Sequence, residues 1–339
     1  MTDLRDAIRD AVAGEPLSAD AMEAAMEHIL SGDASPVQIA AFAVALRMRG
    51  ETTEELTAAA RVLRRQAVPL LLPEGERFLD TCGTGGDGAG TFNISTTSAF
   101  VVAACGVKVA KHGNRAVSSK SGSADVLEAL GVALTPEPAE VAATLDDIGM
   151  AFLFAPAFHG AMRHAAPVRR ELGLRTFFNL LGPLANPAGA SHQILGVYDP
   201  ARLTSIARVL GELGVEGAWV VHGEGGLDEV SPSGPTAVAV LAGGEVTERT
   251  VEPGDFGVEP VSLESLAGGD ASRNAAITKA VLDGEPGGPR AAVLVNAAAA
   301  LCAAGERDDP RAAAERAAAA IDSGDARAIL ERWVARGAK

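Results

Sequence analysis

The chain divides by the texture of its apolar positions. Up to about residue 70 the apolar residues fall in short helix-length segments. The clearest is SPVQIAAFAVALRMRG over 35–50, with Ser35 placed to cap the helix, Pro36 at its first position and Gly50 just past its end. Thr52 and Glu55 stand at capping-box spacing before a further helix. From Arg77 the apolar residues come instead in short β-type runs, RFLDTC, VKVA, MAFLFA, ILGVYD and GAWVVHG, separated by helix-length segments. That alternation predicts an α/β domain with a largely parallel sheet. The last third is rich in alanine and predicts helices in which alanine serves propensity and close packing. No internal repeat or low-complexity linker interrupts the pattern.

Composition adds constraints. A chain of 339 residues, 47% hydrophobic and 22% charged, can bury a real core as one large domain with a satellite or as two ordinary domains. Its 44 acidic and 29 basic residues leave a net charge of −15, which repels nucleic acid and anionic membrane. Any anion it binds must meet a local nest of donors and cations. Cys82, Cys105 and Cys302 are odd in number and widely spaced, so they predict neither a disulfide framework nor a zinc cluster and fit a reducing cytoplasm. The acidic N-terminal segment and the lack of an apolar run near 20 residues predict a soluble, untargeted protein.

The candidate chemistry starts at DTCGTGGDGAGTFNIST, residues 80–96. Gly83, Gly85 and Gly88 satisfy the dinucleotide pattern G-x-G-x-x-G, but no helix opens on the turn and Lys108 stands where an acidic ribose reader belongs. The donors fit a phosphate better: glycine N–H groups approach closely, and Asn93, Ser95 and Thr96 add side chains at a helix N-terminus. Asp87 inside this nest calls for a ligand that carries both phosphate and ribose, or for a metal. A second nest, residues 111–131, gathers Lys111, Arg115 and Lys120 with Ser118, Ser119, Ser121 and Ser123. Two nests imply a ligand with two phosphate ends. Asp228 and Glu229, on a glycine-rich loop after AWVVHG, supply the hard oxygens with which proteins share Mg²⁺ with substrate phosphates. His159 and His164 are five apart, which is not the spacing of a zinc helix. Arg163, Arg169, Arg170 and Arg175 crowd the same segment, and for any one of them a helix face packed on acidic neighbours is the ordinary reading.

Taken together, GTGGD, TFNIST, VAKHGNRAVSS, SGSADVLEALG, VRRELGLRTFFNLLGPLANP and LDEVSP resemble the anthranilate phosphoribosyltransferases of tryptophan biosynthesis over nearly the whole chain. The resemblance implies a small helical domain, residues 1–72 joined by a later segment at about 160–188, beside a large α/β domain, residues 73–339, with the active site in the cleft between them. It implies transfer of the 5-phosphoribosyl group from 5-phosphoribosyl 1-pyrophosphate to the amino group of anthranilate, with release of pyrophosphate. The positions that match the phosphoribosyl pyrophosphate site are Gly83, Gly86, Asp87, Thr91, Asn93, Ile94, Ser95, Thr96, Lys111, His112, Gly113, Asn114, Arg115, Ala116, Val117, Ser118, Ser119 and Ser123. Those that match anthranilate positions are Gly83, Asn114, His159, Arg169 and Gly182, and the metal positions are Ser95, Asp228 and Glu229. The resemblance further implies two Mg²⁺ ions per subunit, a homodimer through the small helical domain, and a cytoplasmic enzyme. Gly160 stands where many relatives carry proline, which touches the path of anthranilate beside His159. No residue is assigned as general base. A pyrimidine nucleoside phosphorylase shares the architecture, but the KHGNR form and the Asp228–Glu229 pair argue against it. A non-enzymatic nucleic-acid-binding relative needs a basic surface, against a net charge of −15.

Overall fold

The computed structural model describes residues 4–337 apart from 74, 87, 117–119, 136 and 307. Four helices come first: α1 (Leu4–Ala13), α2 (Ala19–Ser31), α3 (Pro36–Arg49) and α4 (Thr53–Arg65). Their caps are the expected ones. Ser35 accepts from the Gln38 N–H and Gln38 accepts from the Ser35 N–H, with Pro36 in the first turn. Thr52 and Glu55 make the same exchange at the head of α4. Glu55 is fully buried: Oε1 accepts from the Leu17 N–H at 2.8 Å, and Oε2 takes the Thr52 N–H and the Arg49 guanidinium. One carboxylate thus ties three segments of the bundle.

Strands and helices then alternate as β1 (Leu79–Gly83), α5 (Ile94–Ala104), β2 (Val109–Gly113), α6 (Ser123–Ala129), α7 (Pro138–Ile148) and β3 (Met150–Phe154). Three short helices follow, α8 (Ala155–Phe158), α9 (Ala166–Leu172) and α10 (Phe177–Leu184), before β4 (His192–Gly196), α11 (Leu203–Glu212) and β5 (Gly217–Gly223). A hairpin, β6 (Thr236–Ala242) and β7 (Glu245–Val251), leads to α12 (Ala271–Leu282), α13 (Gly288–Ala303), α14 (Pro310–Asp322) and α15 (Asp325–Gly337). Among the described residues the strands form one sheet in the order β3-β2-β1-β4-β5-β6-β7, parallel through β5. The hairpin goes beyond the five expected runs. Its turn is Gly243–Gly244, both at positive φ, as a tight two-residue turn between right-twisted strands requires.

The sheet is covered on both faces, and successive residues point to opposite sides. Ile194, Trp219 and Val221 face a core shared with α5, α13 and α14; Leu195, Ala218 and Val220 face a core shared with α11 and the N-terminal helices. The later helical segment packs on those helices, α9 against α3 and α10 against α3 and α4. From β1 the chain builds outward to β3 and then returns to β4 on the other side of β1. The order of strands therefore reverses between β1 and β4, and ligands of open α/β sheets collect beyond the C-terminal ends of the strands at such a reversal.

Glu55→Ala should lower the unfolding free energy by about 3–5 kcal/mol in urea denaturation, because it leaves the Arg49 charge buried without its carboxylate. A loss below about 1 kcal/mol would contradict that role.

Candidate active site

β1 and β4 both end on glycine, and the loop after β5 rests on the two ends. A Cβ on Gly83 would fall 2.5 Å from Asp228 Oδ2, and one on Gly196 would fall 1.5 Å from the Asp228 carbonyl oxygen. Only side-chain-free strand ends admit this contact. Asp228 Oδ2 accepts from the Gly85 N–H at 2.7 Å, and Glu229 Oε1 accepts from the Ser95 N–H at 3.1 Å. Ser95 lies in the first turn of α5, where unpaired N–H groups and the helix dipole favour negative charge. Behind the loop, Asn296 of α13 accepts from the Val230 N–H and donates to the Val230 carbonyl, at 2.8 and 2.9 Å. The far end of the glycine loop is tied by Phe92 N–H to Leu266 and by Gly268 N–H to Gly90.

Under the loop lies a buried polar floor. Lys111 is almost wholly buried, and its ammonium donates to the Thr81 carbonyl and, at 3.2 Å, to Thr81 Oγ1 and Ser95 Oγ. Burial lowers its pKa, opposed by Asp80, Cys82, Glu229 and Asp228. Asp80 is fully buried; it accepts from the His112 N–H at 3.0 Å, and burial pushes its carboxyl up to about 6. His112 points the other way: Nδ1 lies 3.1 Å from the Gly182 carbonyl, and the ring meets His159 edge-on at 5.1 Å. Burial holds His112 down to about 3 and also lowers His159. Arg169 of α9 lies over the Phe178 ring of α10, 5.7 Å from its centroid, and burial lowers its guanidinium.

The second nest differs from a plain cluster of cations. Asp125 of α6 accepts from the Ala116 N–H, the Gly122 N–H and Arg115, while Glu128 takes Arg115 through both of its oxygens. These two carboxylates raise the Arg115 pKa further, Glu128 the more strongly. Of the three expected cations, Lys111 is buried against the floor, Arg115 is exposed but engaged by carboxylates, and Lys120 stands exposed.

Two family models cover the chain: a glycosyl transferase helical bundle domain matches residues 5–67, and a glycosyl transferase family a/b domain matches residues 75–327. An anthranilate phosphoribosyltransferase of Moorella thermoacetica is 54% identical over 98% of both chains, and one of Symbiobacterium thermophilum is 54% identical over 96% of this chain and 95% of its own. This chain belongs to the anthranilate phosphoribosyltransferase family. The solved enzyme of Thermus thermophilus superposes with a TM-score of 0.93 at 44% identity, over 98% of this chain and 100% of that one. The Saccharomyces cerevisiae enzyme, solved in complex with PRPP and Mg, gives 0.89 at 31% over 99% and 98%.

Against the positions that match anthranilate phosphoribosyltransferases, the fold brings Gly83, Ser95, Lys111, Asp228 and Glu229 into one contact network at the reversal. Gly86 and Thr91 lie along the glycine loop, and Asn93 caps α5 through its backbone while its side chain binds Ser121 and Asn274. Ile94 and Thr96 are buried, and the Ile94 N–H is taken by Phe92. Gly113 packs on Phe152, the Asn114 carbonyl accepts from Ala124, and Ser123 opens α6. His112, His159 and Gly182 meet beside the floor. Asp87, Val117, Ser118 and Ser119 lie outside the described residues. Asp80, Asp125 and Asn296 escape the motif reading, although an asparagine inside the apolar run VLVNAAAALC is a legible sign of a buried polar anchor.

Gly196→Ala should cost about 1–3 kcal/mol of stability and displace the 228–229 loop, measured as lost activity with an intact fold by circular dichroism. Wild-type activity in this variant would contradict the contact.

A pH prediction follows from His112. Its folded pKa lies below the ordinary 6.5, so its stabilising contribution is complete above 6.5 and is lost as pH falls toward 3. Asp80, raised from 3.8, acts in the opposite sense between about 6 and 4. His112→Gln removes only the first effect, so the stability difference between wild type and variant should change by about 2 kcal/mol between pH 7 and pH 5. Urea denaturation at both pH values checks this; a constant difference would contradict it.

Proposed function

We propose that this chain transfers the 5-phosphoribosyl group from 5-phosphoribosyl 1-pyrophosphate to the amino group of anthranilate, with Mg²⁺, in tryptophan biosynthesis. The observation that carries the residue-level reading is the reach of Asp228 and Glu229 across the β1/β4 ends to the glycine loop and α5. Two adjacent carboxylates, one of them held on the Ser95 N–H, would form with the Ser95 hydroxyl an incomplete set of hard oxygen donors, and among the described residues no group of three or more acidic, histidine or cysteine side chains could hold an ion alone. Such a set fits Mg²⁺, which keeps several waters and takes the rest of its ligands from substrate phosphates. Bound there, Mg²⁺ offsets the charge of the departing diphosphate.

The chain's own residues do the remainder. Glycine-loop N–H groups and the start of α5 receive the diphosphate, and the KHGNR loop, with Asn114, Arg115 and Ser123, borders its ribose phosphate end, a role the family resemblance also gives to Ser118 and Ser119. Arg169 receives the anthranilate carboxylate, with His112, His159 and Gly182 walling the ring. The aromatic amine is unprotonated at neutral pH, so positioning it at C1 suffices and no side chain need remove a proton first. We extend the proposal to two ions per subunit, a cytoplasmic location, and a cleft between residues 1–72 with about 160–188 and the α/β domain 73–339. No helix among the described residues is long and apolar enough to cross a membrane. A homodimer through the helical domain accounts for the exposure of Val12, Val37, Met48 and Leu174 on α1, on α3 and after α9.

Loss of anthranilate fluorescence on adding 5-phosphoribosyl 1-pyrophosphate and Mg²⁺ tests the activity. Arg169→Ala should lower kcat/KM for anthranilate about 10- to 150-fold and leave the KM for phosphoribosyl pyrophosphate unchanged. Equal losses for both substrates would remove Arg169 from this role. Asp228→Asn with Glu229→Gln should sharply raise the Mg²⁺ requirement of a folded protein, and unchanged Mg²⁺ dependence would sink the metal assignment. Val37→Glu with Met48→Glu should yield monomers by light scattering; an unchanged mass at the dimer value would move the interface elsewhere.

A further inference from the structure

Arg175 stands between α9 and α10, in a turn fixed at both ends. Gly173 closes α9 in the left-handed conformation, and the Thr176 N–H donates to Asn179 Oδ1 at 3.0 Å at the head of α10. The turn lays the guanidinium on the glycine loop: a Cβ on Gly86 would fall 2.7 Å from an Nη and 3.1 Å from Cζ and Nε. Gly86 has φ +75, so its backbone favours glycine, and the Arg175 guanidinium fills the space above it. On its other side the guanidinium lies 4.3 Å from the centroid of Tyr198, the single tyrosine of the chain. The Tyr198 N–H donates to Thr84 Oγ1 and the Thr84 N–H to the Gly196 carbonyl, so the ring belongs to the same loop.

Apart from Arg169, which lies over Phe178, the other half-buried arginines are satisfied. Arg49 pairs with Glu55, Arg202 with Glu51, Arg290 with Asp322 and Arg336 with Asp147, while Arg64 donates to two carbonyls. Arg175 has no ion pair or hydrogen bond among the described residues, in a chain of net charge −15. A guanidinium whose carbon lies over a ring and against a glycine still offers N–H donors, in the planar fork that matches phosphate oxygens. Of the cations in the second nest, Lys111 is committed to the floor and Arg115 to Asp125 and Glu128, and Lys120 stands exposed. A diphosphate facing Asp228 and Glu229 needs a cation beyond the metal.

We propose that Arg175, wedged between Gly86 and Tyr198, donates through its edge to the diphosphate of 5-phosphoribosyl 1-pyrophosphate and to the pyrophosphate released from it. This rests on the function proposed above. It adds a donor from the α9–α10 turn to a site otherwise built from strand ends, so the segment that carries Arg169 toward one substrate also grips the other.

Calorimetric titration of Mg-pyrophosphate into wild type, Arg175→Ala and Arg175→Lys, without anthranilate, tests the inference. Arg175→Ala should raise Kd about 10- to 150-fold, the loss of one hydrogen bond to a charged group, and Arg175→Lys less. Hydrogen exchange over residues 83–96 of the unliganded variants should match wild type. Equal pyrophosphate affinity in wild type and Arg175→Ala overturns the inference alone. Weaker affinity with faster loop exchange in both variants also overturns it, since the arginine would then merely brace the loop. Wild type that binds no pyrophosphate overturns the inference together with the function beneath it.

Discussion

Everything at the site depends on a backbone contact: the Asp228 carbonyl seated on Gly196 and its carboxylate on Gly83, where neighbouring parallel strands lead their chains apart. With no Cβ on either strand end, a loop from the third strand, β5, can lie across the other two and carry its carboxylates to the glycine loop. Asn296 holds that loop from behind, and Gly85 and Ser95 hold it in front. The acidic pair is therefore preorganised rather than free to swing, as the proposed metal site requires.

The charges beneath are arranged around the same contact. Lys111 reaches Ser95 and Thr81 from below, Asp80 lies close enough to oppose the cost of its burial, and the Asp80 carboxylate also takes the N–H of His112. His112 in turn touches the segment of His159 and Gly182. A run of buried polar and ring neighbours thus extends from the Asp228–Glu229 loop to His159 and Gly182. Such networks are costly when half satisfied, which is why losing one partner is felt at the others.

The N-terminal helices and the five parallel strands were legible because each rested on local chemistry, caps at Ser35 and Thr52 and apolar runs of strand length, and the reaction class was legible through the family resemblance that the contiguous motifs carry. The β6–β7 hairpin had its sign in TAVAVLAGGEVTERTV, where alternation breaks at Gly243–Gly244. Other features have no local sign. That Arg115 faces Glu128, that Lys111 points into the floor, or that Arg175 meets Gly86 depends on which elements the sheet order brings together. Gly196 is the sharpest case: within ILGVYD it reads as an ordinary glycine, and its role appears only once β5 delivers Asp228 above it.

The central claim is that the β1/β4 reversal holds a metal diphosphate between the glycine loop and the Asp228–Glu229 pair. Crystals grown with 5-phosphoribosyl 1-pyrophosphate and Mn²⁺ in place of Mg²⁺ test it most directly, because Mn²⁺ can be located by its anomalous scattering. The account predicts an anomalous peak among Ser95, Asp228 and Glu229, with diphosphate density against Gly85 and Gly86. A peak away from this loop, with diphosphate bound elsewhere, would contradict it.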